Sequence, residues 1–189
     1  AYEIHERLVG SEMCIRDRLK EGHLMISFRN LDLLIMVDPD KEEITWASYG
    51  PWKGQHDPEI QNDGTVIMFD NQGGIQKDTG ASRILHIDLN TMGIIWEYNG
   101  TKDNPLFSAY NSSIHVLPNG NILATESEAG RIIEVTRDKQ IVWEYWNPNR
   151  KIISDSKYGT EYDGKPHIAA LFSAVRYSKD ELPFLNIAP

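Results

Sequence analysis

The sequence has little cysteine, no long apolar run and a deficit of positive charge. Cys14 is the single cysteine among 189 residues, so no intrachain disulfide can form and the sequence is silent about redox compartment. No apolar run approaches the ~18 residues that a membrane-spanning helix needs, so no membrane span is predicted. Acidic residues outnumber basic ones by 28 to 19, for a net charge of −9. This balance argues against a nucleic-acid partner, because such a partner requires a basic face.

Several common motifs and one periodicity are also missing. The sequence has no Gly-x-Ser-x-Gly elbow, no phosphate-binding loop and no paired-cysteine motif. No segment shows a sustained period of 3.6 residues between helix caps, so helix should be scarce. Hydrophobic residues make up 40% of the chain, enough for a packed core. The sequence therefore predicts one folded, mostly β domain, and neither a metal nor a cofactor is expected.

The first 18 residues differ from the rest. The stretch Glu12 to Arg18 resembles the translation of a transposase end sequence used in sequencing libraries. Residues 1–18 are therefore predicted to be a non-native segment, with a genuine N-terminal segment as the alternative. Under the first interpretation the domain is residues 19–189, and the native start, with any signal peptide, lies upstream.

The remainder is dominated by a repeat of about fifty residues. Each copy starts with a turn glycine and an apolar strand, continues with a second strand, and ends in a strand that carries a tryptophan. The copies begin at Gly22, Gly64 and Gly120 and reach tryptophan at Trp46, Trp96 and Trp143. The tryptophans lie 50 and 47 residues apart, a period typical of a four-stranded propeller blade. We interpret them as structural residues.

Turn chemistry supports four antiparallel strands, A to D, in each copy. Asp63-Gly64 and Asn119-Gly120 favour tight hairpins, since these residue types tolerate positive φ. Strand A of the second copy is placed at 59–61. A long loop is expected over 147–165, and one further strand within 168–177. The predicted fold is all-β, an incomplete β-propeller of about three four-stranded antiparallel blades plus a C-terminal strand. We expect its N-terminal blades to be missing, because so few blades cannot close a ring.

Chemically unusual residues fall in the loops of one predicted face. In a propeller the D–A and B–C connections emerge together, so residues distant in sequence should meet there. The candidates are a catalytic histidine, His56, and six substrate-binding residues, Arg29, Asn30, Lys53, Asp70, Asn71 and Arg83. The same face should also hold Phe107, Ser108, Tyr110 and Ser112.

Two of these candidates and one loop each have a second interpretation. His56 has no counterpart in the other copies, and its imidazole suits a nucleophile, a general acid or base, a metal ligand or a structural group. Arg29 could bind an anion through its fork of donors, or form an ion pair between blades with Glu43, Asp57 or Asp70. The long loop 71–82 either lets a ligand approach its glycines or is a tolerated insertion.

Three short motifs resemble a known family. They are Ile26-Ser27-Phe28-Arg29-Asn30, Gln55-His56-Asp57 followed by Phe69-Asp70-Asn71, and Leu117-Pro118-Asn119-Gly120-Asn121. With the repeat, over most of residues 22–177, they resemble the arylsulfotransferases, a family with a six-bladed propeller. The resemblance implies sulfuryl transfer from an aryl sulfate to a phenol, without a nucleotide donor, through a histidine in the central funnel. It aligns His56 with a funnel histidine and Arg29 with the arginine of the first blade.

Parts of the family pattern are absent. Gln72-Gly73-Gly74-Ile75 stand where the family has an arginine after Phe-Asp-Asn, and Arg83 is the nearest substitute. The family's sulfurylated histidine would fall near residues 126–131, where this chain has none. The first-blade histidine would precede Leu19. The chain thus carries an incomplete set of the family's catalytic residues.

The sequence favours an arylsulfotransferase-like enzyme that acts on a small aryl sulfate or phenol. The alternative is a non-catalytic propeller that binds a small ligand or a partner protein on the same face. A quinoprotein dehydrogenase, whose repeats are also similar, would need calcium-binding carboxylates and a tryptophan platform, and no convincing set is present. Periplasmic or secreted localisation is suggested by the family resemblance alone.

Overall fold

The computed structural model describes residues 20–72, 82–154, 160–162, 165–182 and 184. These residues form fourteen β-strands and one short 3₁₀ helix, Arg29–Leu31, and no α-helix lies among them. None of their helical segments is long and apolar enough to cross a membrane. Residues 1–18, predicted to be non-native, lie outside the described part. The chain divides into two compact units, Ala1–Ser112 and Ser113–Pro189.

The first unit contains two antiparallel sheets in which sequence neighbours pair. The first has the strands β1 (Leu24–Phe28), β2 (Leu33–Asp38) and β3 (Glu43–Tyr49), in that order. The second has the strands β4 (Gln55–Ile60), β5 (Thr65–Asp70), β6 (Arg83–Asp88) and β7 (Gly93–Tyr98), in that order. The four-stranded meander is the arrangement expected of a propeller blade.

The second unit repeats this pattern and then departs from the prediction. Its main sheet has the strands β8 (Ser113–Val116), β9 (Ile122–Glu126), β10 (Arg131–Val135) and β11 (Ile141–Trp146), in sequence order. A small sheet follows, with β12 (Lys151–Ile152), β13 (Thr160–Tyr162) and β14 (Lys165–Ile168) in the order β12-β14-β13. The all-β prediction of repeated four-stranded blades is confirmed. The location of the C-terminal strand was wrong: β14 ends at Ile168, where the expected range 168–177 begins, and the loop expected over 147–165 contains β12 and β13. These strands are too short to show an alternation that could be detected in the sequence.

A shared apolar core joins the two sheets of the first unit. Its buried side chains are Leu34, Met36, Trp46, Trp52, Val66, Met68, Leu85, Ile87 and Leu89. Within β2, β5 and β6 these residues recur at every second position, so they lie on one face of each strand. Full burial of such a side chain is worth about 1.5–3 kcal/mol, and the stacking of the sheets holds the intervening loops in place.

Candidate functional site

His56 lies within a strand, not in the loop before it. Strand A of the second copy begins at Gln55 instead of the predicted 59, and His56 pairs with Phe69 of β5. The register shifts between His56 and Glu59, and Asp57 there has a φ of 51°. This β-bulge explains the error, because it interrupts the alternation that marks a strand in sequence.

The half-buried imidazole of His56 is held by Asn71. The ring Nδ1 lies 2.6 Å from Oδ1 of Asn71, a residue that is only 2% exposed. In turn, Nδ2 of Asn71 donates to the carbonyl oxygen of Ser108 at 2.7 Å and to that of Asn111 at 3.4 Å. Asn71 follows β5, whereas Ser108 and Asn111 lie between β7 and β8. The structure therefore brings a B–C loop and a D–A loop together at His56.

A pair of buried serines fixes the backbone that Asn71 contacts. The Ser82 hydroxyl donates to the carbonyl oxygen of Ser108 at 2.9 Å, and the Ser108 amide donates to the Ser82 hydroxyl oxygen at 3.0 Å. Both serines are fully buried. Because a buried network tolerates few alternative arrangements, the Ser108 carbonyl is held in place for Asn71.

Arg29 reaches the same loop from the first sheet. Its Nη2 donates to the carbonyl oxygen of Ala109 at 3.1 Å, and its Nη1 donates to Oδ1 of Asn30 at 3.0 Å. The guanidinium carbon lies 5.3 Å from the centroid of the Tyr110 ring, within cation–π range. The Nε atom is buried without a hydrogen-bond partner.

The charge of Arg29 is not neutralised by a carboxylate. In the described part of the chain, its guanidinium forms none of the ion pairs considered as an alternative to anion binding. Its acceptors are a carbonyl and an amide oxygen. The cation therefore keeps its full charge next to the loop that supports His56.

Asp70 organises the backbone around it. Its Oδ1 accepts from the amides of Lys53 at 2.8 Å and Gln72 at 3.0 Å, and its Oδ2 accepts from Nε of Arg83 at 2.8 Å. Burial raises the pKa of the Asp70 carboxyl, and these donors oppose the rise. Lys53 takes part through its backbone amide, and its side chain is exposed.

Arg83 has a partner for each of its three nitrogens. Besides Asp70, its Nη1 donates to Oε2 of Glu97 at 3.0 Å, and its Nη2 donates to the carbonyl oxygen of Pro51. The guanidinium therefore lies between two carboxylates, and this geometry favours a structural role over substrate binding.

The next copy of the repeat contains the same ion triad. Nη1 of Arg131 lies 2.8 Å from Oε2 of Glu126, and its Nε lies 2.6 Å from Oε1 of Glu144. In both copies the arginine starts strand C and faces the acidic residue that ends strand B. The equivalent arginine and acidic residue in the next copy of the repeat could therefore have indicated from the sequence that Arg83 belongs to the blade scaffold.

The sequence candidates thus fall into two groups. His56, Asn71 and Arg29 converge on residues 108–111, with Asn30 beside Arg29, whereas Asp70 and Arg83 form an ion pair of their own. Sequence reasoning missed Ala109 and Asn111, which contribute backbone carbonyls, so their side chains gave no signal. It also missed Ser82, which it treated only as the end of a loop. Within the described ranges no three His, Cys, Asp or Glu side chains cluster to hold a metal.

Comparisons with known proteins agree with the motifs. The model of the family described as arylsulfotransferase (ASST) matches residues 5–148. This range includes residues 5–18, part of the segment predicted to be non-native, and that prediction stays a prediction. No curated protein sequence matches the chain.

Several solved structures are similar to parts of the chain. Virginiamycin B lyase from Staphylococcus aureus is 28% identical, with a TM-score of 0.46 over 69% of this chain and 40% of that one. The WD40 β-propeller domain of Doa1 is 17% identical, with a TM-score of 0.42 over 67% of this chain and 40% of that one. A protein of unknown function from Bacteroides caccae is 13% identical, with a TM-score of 0.36 over 72% and 65%. The chain spans only about two fifths of the first two proteins.

Proposed function

Because this chain belongs to the arylsulfotransferase family, we propose that it transfers a sulfuryl group from an aryl sulfate to a phenolic acceptor through His56. One observation carries the proposal beyond the family. His56, through Asn71, and Arg29 are tied to the carbonyls of adjacent residues, Ser108 and Ala109, whose Cα atoms lie about 3.8 Å apart. A nucleophile and a cation without an anionic partner are therefore anchored to the same short segment, and such a pair could bind and attack a small anionic substrate.

His56 supplies the nucleophile. Its Nδ1 is occupied by Asn71, whereas none of the described residues forms a hydrogen bond to Nε2. Imidazole attacks well when unprotonated and leaves well when sulfurylated, as covalent catalysis requires. The half-buried position leaves the ring partly open to solvent, so a substrate can reach it.

The reaction balances in two steps. In the first, Nε2 of His56 forms a bond to sulfur, the bond between sulfur and the aryl oxygen breaks, and the phenolate leaves and takes a proton from water. In the second, the oxygen of the acceptor phenol bonds to sulfur, the N–S bond breaks, and the phenol proton passes to water. His56 returns to its neutral state, and no redox partner is needed.

Arg29 stabilises charge on the sulfuryl oxygens. Its guanidinium has only neutral acceptors, so a bound sulfate group would be its first anionic partner. Preorganised donors of this kind reduce the barrier, because they need no reorganisation as charge develops. Asn30 orients this guanidinium, and the exposed ammonium of Lys53 attracts the anionic donor.

The decisive experiment is His56→Ala in the full-length protein. We expect transfer from p-nitrophenyl sulfate to phenol to fall to the uncatalysed rate, measured by the absorbance of released p-nitrophenol. His86→Ala is the matched control, since His86 lies in the same sheet and hydrogen-bonds Thr65 at 2.7 Å. Wild-type turnover in the His56 variant would contradict the catalytic role.

A second function is favoured by one observation. Arg83 is the nearest substitute for the missing family arginine, but it forms ion pairs with Asp70 and Glu97. The anion site therefore has fewer unpaired cations than the family pattern implies. If the intact wild-type protein turns over none of several donors but binds them in calorimetry, the protein is a non-catalytic binder on the same face. Arg29→Ala should then abolish the binding.

A further inference from the structure

The groups around the Asn71 side chain can form hydrogen bonds with it in only one orientation of its amide. Two backbone carbonyl oxygens, those of Ser108 and Asn111, lie within hydrogen-bond distance of one end of the side chain. Carbonyl oxygens only accept hydrogen bonds, so this end must be the NH₂ group. The carbonyl oxygen of the amide then faces Nδ1 of His56, 2.6 Å away.

We propose that Asn71 is a positioning residue that keeps the proton of neutral His56 on Nδ1 and leaves the lone pair on Nε2. Its catalytic meaning rests on the function proposed above. An amide oxygen only accepts, so the ring nitrogen facing it must carry hydrogen. Neutral imidazole has one N–H group, and the other nitrogen, Nε2, is therefore the nucleophile. Asn71, predicted from sequence to bind substrate, acts on the ring instead.

The other arrangements leave buried groups in conflict. With the proton on Nε2, the lone pair of Nδ1 would face the lone pairs of Oδ1 at 2.6 Å. Turning the Asn71 amide over would relieve that contact but would place its oxygen against two carbonyl oxygens. Asn71 is 2% exposed, so water cannot resolve either conflict at low cost.

The same geometry explains why the orienting group is an amide and not a carboxylate. Many catalytic histidines are oriented by an aspartate that accepts from Nδ1. Here an aspartate would direct its second oxygen at the carbonyls of Ser108 and Asn111, which offer no hydrogen. The Ser108 carbonyl cannot move away, because Ser82 bonds both to it and to the Ser108 amide. Only an amide both accepts from the ring and donates to this backbone.

Nuclear magnetic resonance of protein labelled with ¹⁵N in histidine tests the proposal directly. Two-bond ¹H–¹⁵N spectra, recorded at a pH where the ring is neutral, distinguish the two tautomers, and His56→Ala assigns the signal. We expect His56 in the form protonated at Nδ1. A His56 signal from the form protonated at Nε2 would overturn the proposal, whatever the activity of the protein.

Asn71→Ala provides the second measurement. The proton should then shift towards Nε2, and kcat should fall roughly tenfold with KM unchanged, because fewer rings carry a free Nε2. Asn90→Ala, at an exposed asparagine of a distant hairpin, should leave the tautomer as in the wild type. A tautomer unmoved in the Asn71 variant would contradict the positioning role. If that variant does not fold, the wild-type spectrum alone decides.

The two proposals fail separately. Loss of the Nδ1 proton preference with an inactive His56→Ala variant would leave sulfuryl transfer standing and remove only the role of Asn71. A protonated Nδ1 in an enzyme whose His56→Ala variant keeps full turnover would remove the catalytic role of His56 and keep the positioning of its ring by Asn71.

Discussion

At the scale of single residues, two arginines show how the same side chain can have different surroundings. Arg29 and Arg83 both lie beside the polar loops of the first unit. Arg29 donates to a carbonyl and an amide oxygen, so its charge remains available. Arg83 lies between Asp70 and Glu97, so its charge is already balanced. The residue type alone does not separate these cases, since it does not reveal which acceptors the fold brings near.

Replacing Arg83 should cost stability before it affects substrate binding. In Arg83→Ala the fully buried Asp70 carboxylate loses its cation, and we expect a loss on the order of 3 kcal/mol in the free energy of unfolding. Arg83→Lys should rescue this only in part, because an ammonium cannot match the planar fork. Chemical denaturation measures the change, with Lys102→Ala at an exposed lysine as the control. An unchanged midpoint with a raised KM would instead support the substrate-binding prediction.

At the scale of elements, aspartates at the hairpin turns accept hydrogen bonds from the turn itself. Oδ1 of Asp63 accepts from the amide of Thr65 at 3.0 Å, and Oδ1 of Asp88 accepts from that of Asn90 at 2.8 Å. The Thr65 hydroxyl and amide lower the pKa of Asp63, and the Asn90 amide lowers that of Asp88. The turn at Asp63 could be predicted from the sequence because the interaction is local. The bulge at Asp57 could not, because it depends on pairing with β5.

The turn at Asp88 should contribute to the acid sensitivity of the fold. Its folded pKa lies below the ordinary value of 3.8, so its stabilisation is present above that value and is lost as pH falls through the folded pKa. Asp88→Asn keeps an acceptor for the Asn90 amide but removes the titration. As the pH falls below about 4, we expect the melting temperature of Asp88→Asn to drop less than that of the wild type. Calorimetry measures both melting temperatures. Asp103→Asn, at an exposed aspartate, serves as the control. An identical pH profile for Asp88→Asn and wild type would contradict the assignment.

At the scale of the whole molecule, equivalent residues of the repeat differ in how far they are buried. Trp46 is 7% exposed in the core of the first unit, whereas its repeat equivalent Trp143, in the second unit, is 42% exposed. Trp143 stacks on Tyr145, with ring centroids 6.4 Å apart. We therefore expect equivalent positions in the repeat to contribute differently to stability.

The two tryptophans should respond differently to truncation. Trp46→Ala should destabilise its unit by about 3–5 kcal/mol, since it leaves a cavity in a packed core. Trp143→Ala should cost about 1 kcal/mol, because much of the side chain is already in water. Chemical unfolding followed by circular dichroism measures both, and equal losses would show that exposure does not govern the contribution of these residues.

The sequence by itself determined the repeat, the all-β class, the hairpin turns and the family motifs. Each depends on local chemistry: strand alternation, residues that tolerate positive φ, and tryptophans at a fixed period. It also named His56, because this residue does not recur in the other copies, and Asn71 and Arg29, because their loops were predicted to emerge on the same face. Only the tertiary structure decided which groups those residues contact. Asn71 and Arg29 donate to backbone carbonyls within residues 108–111, and a backbone acceptor leaves no trace in the identity of the residue that supplies it.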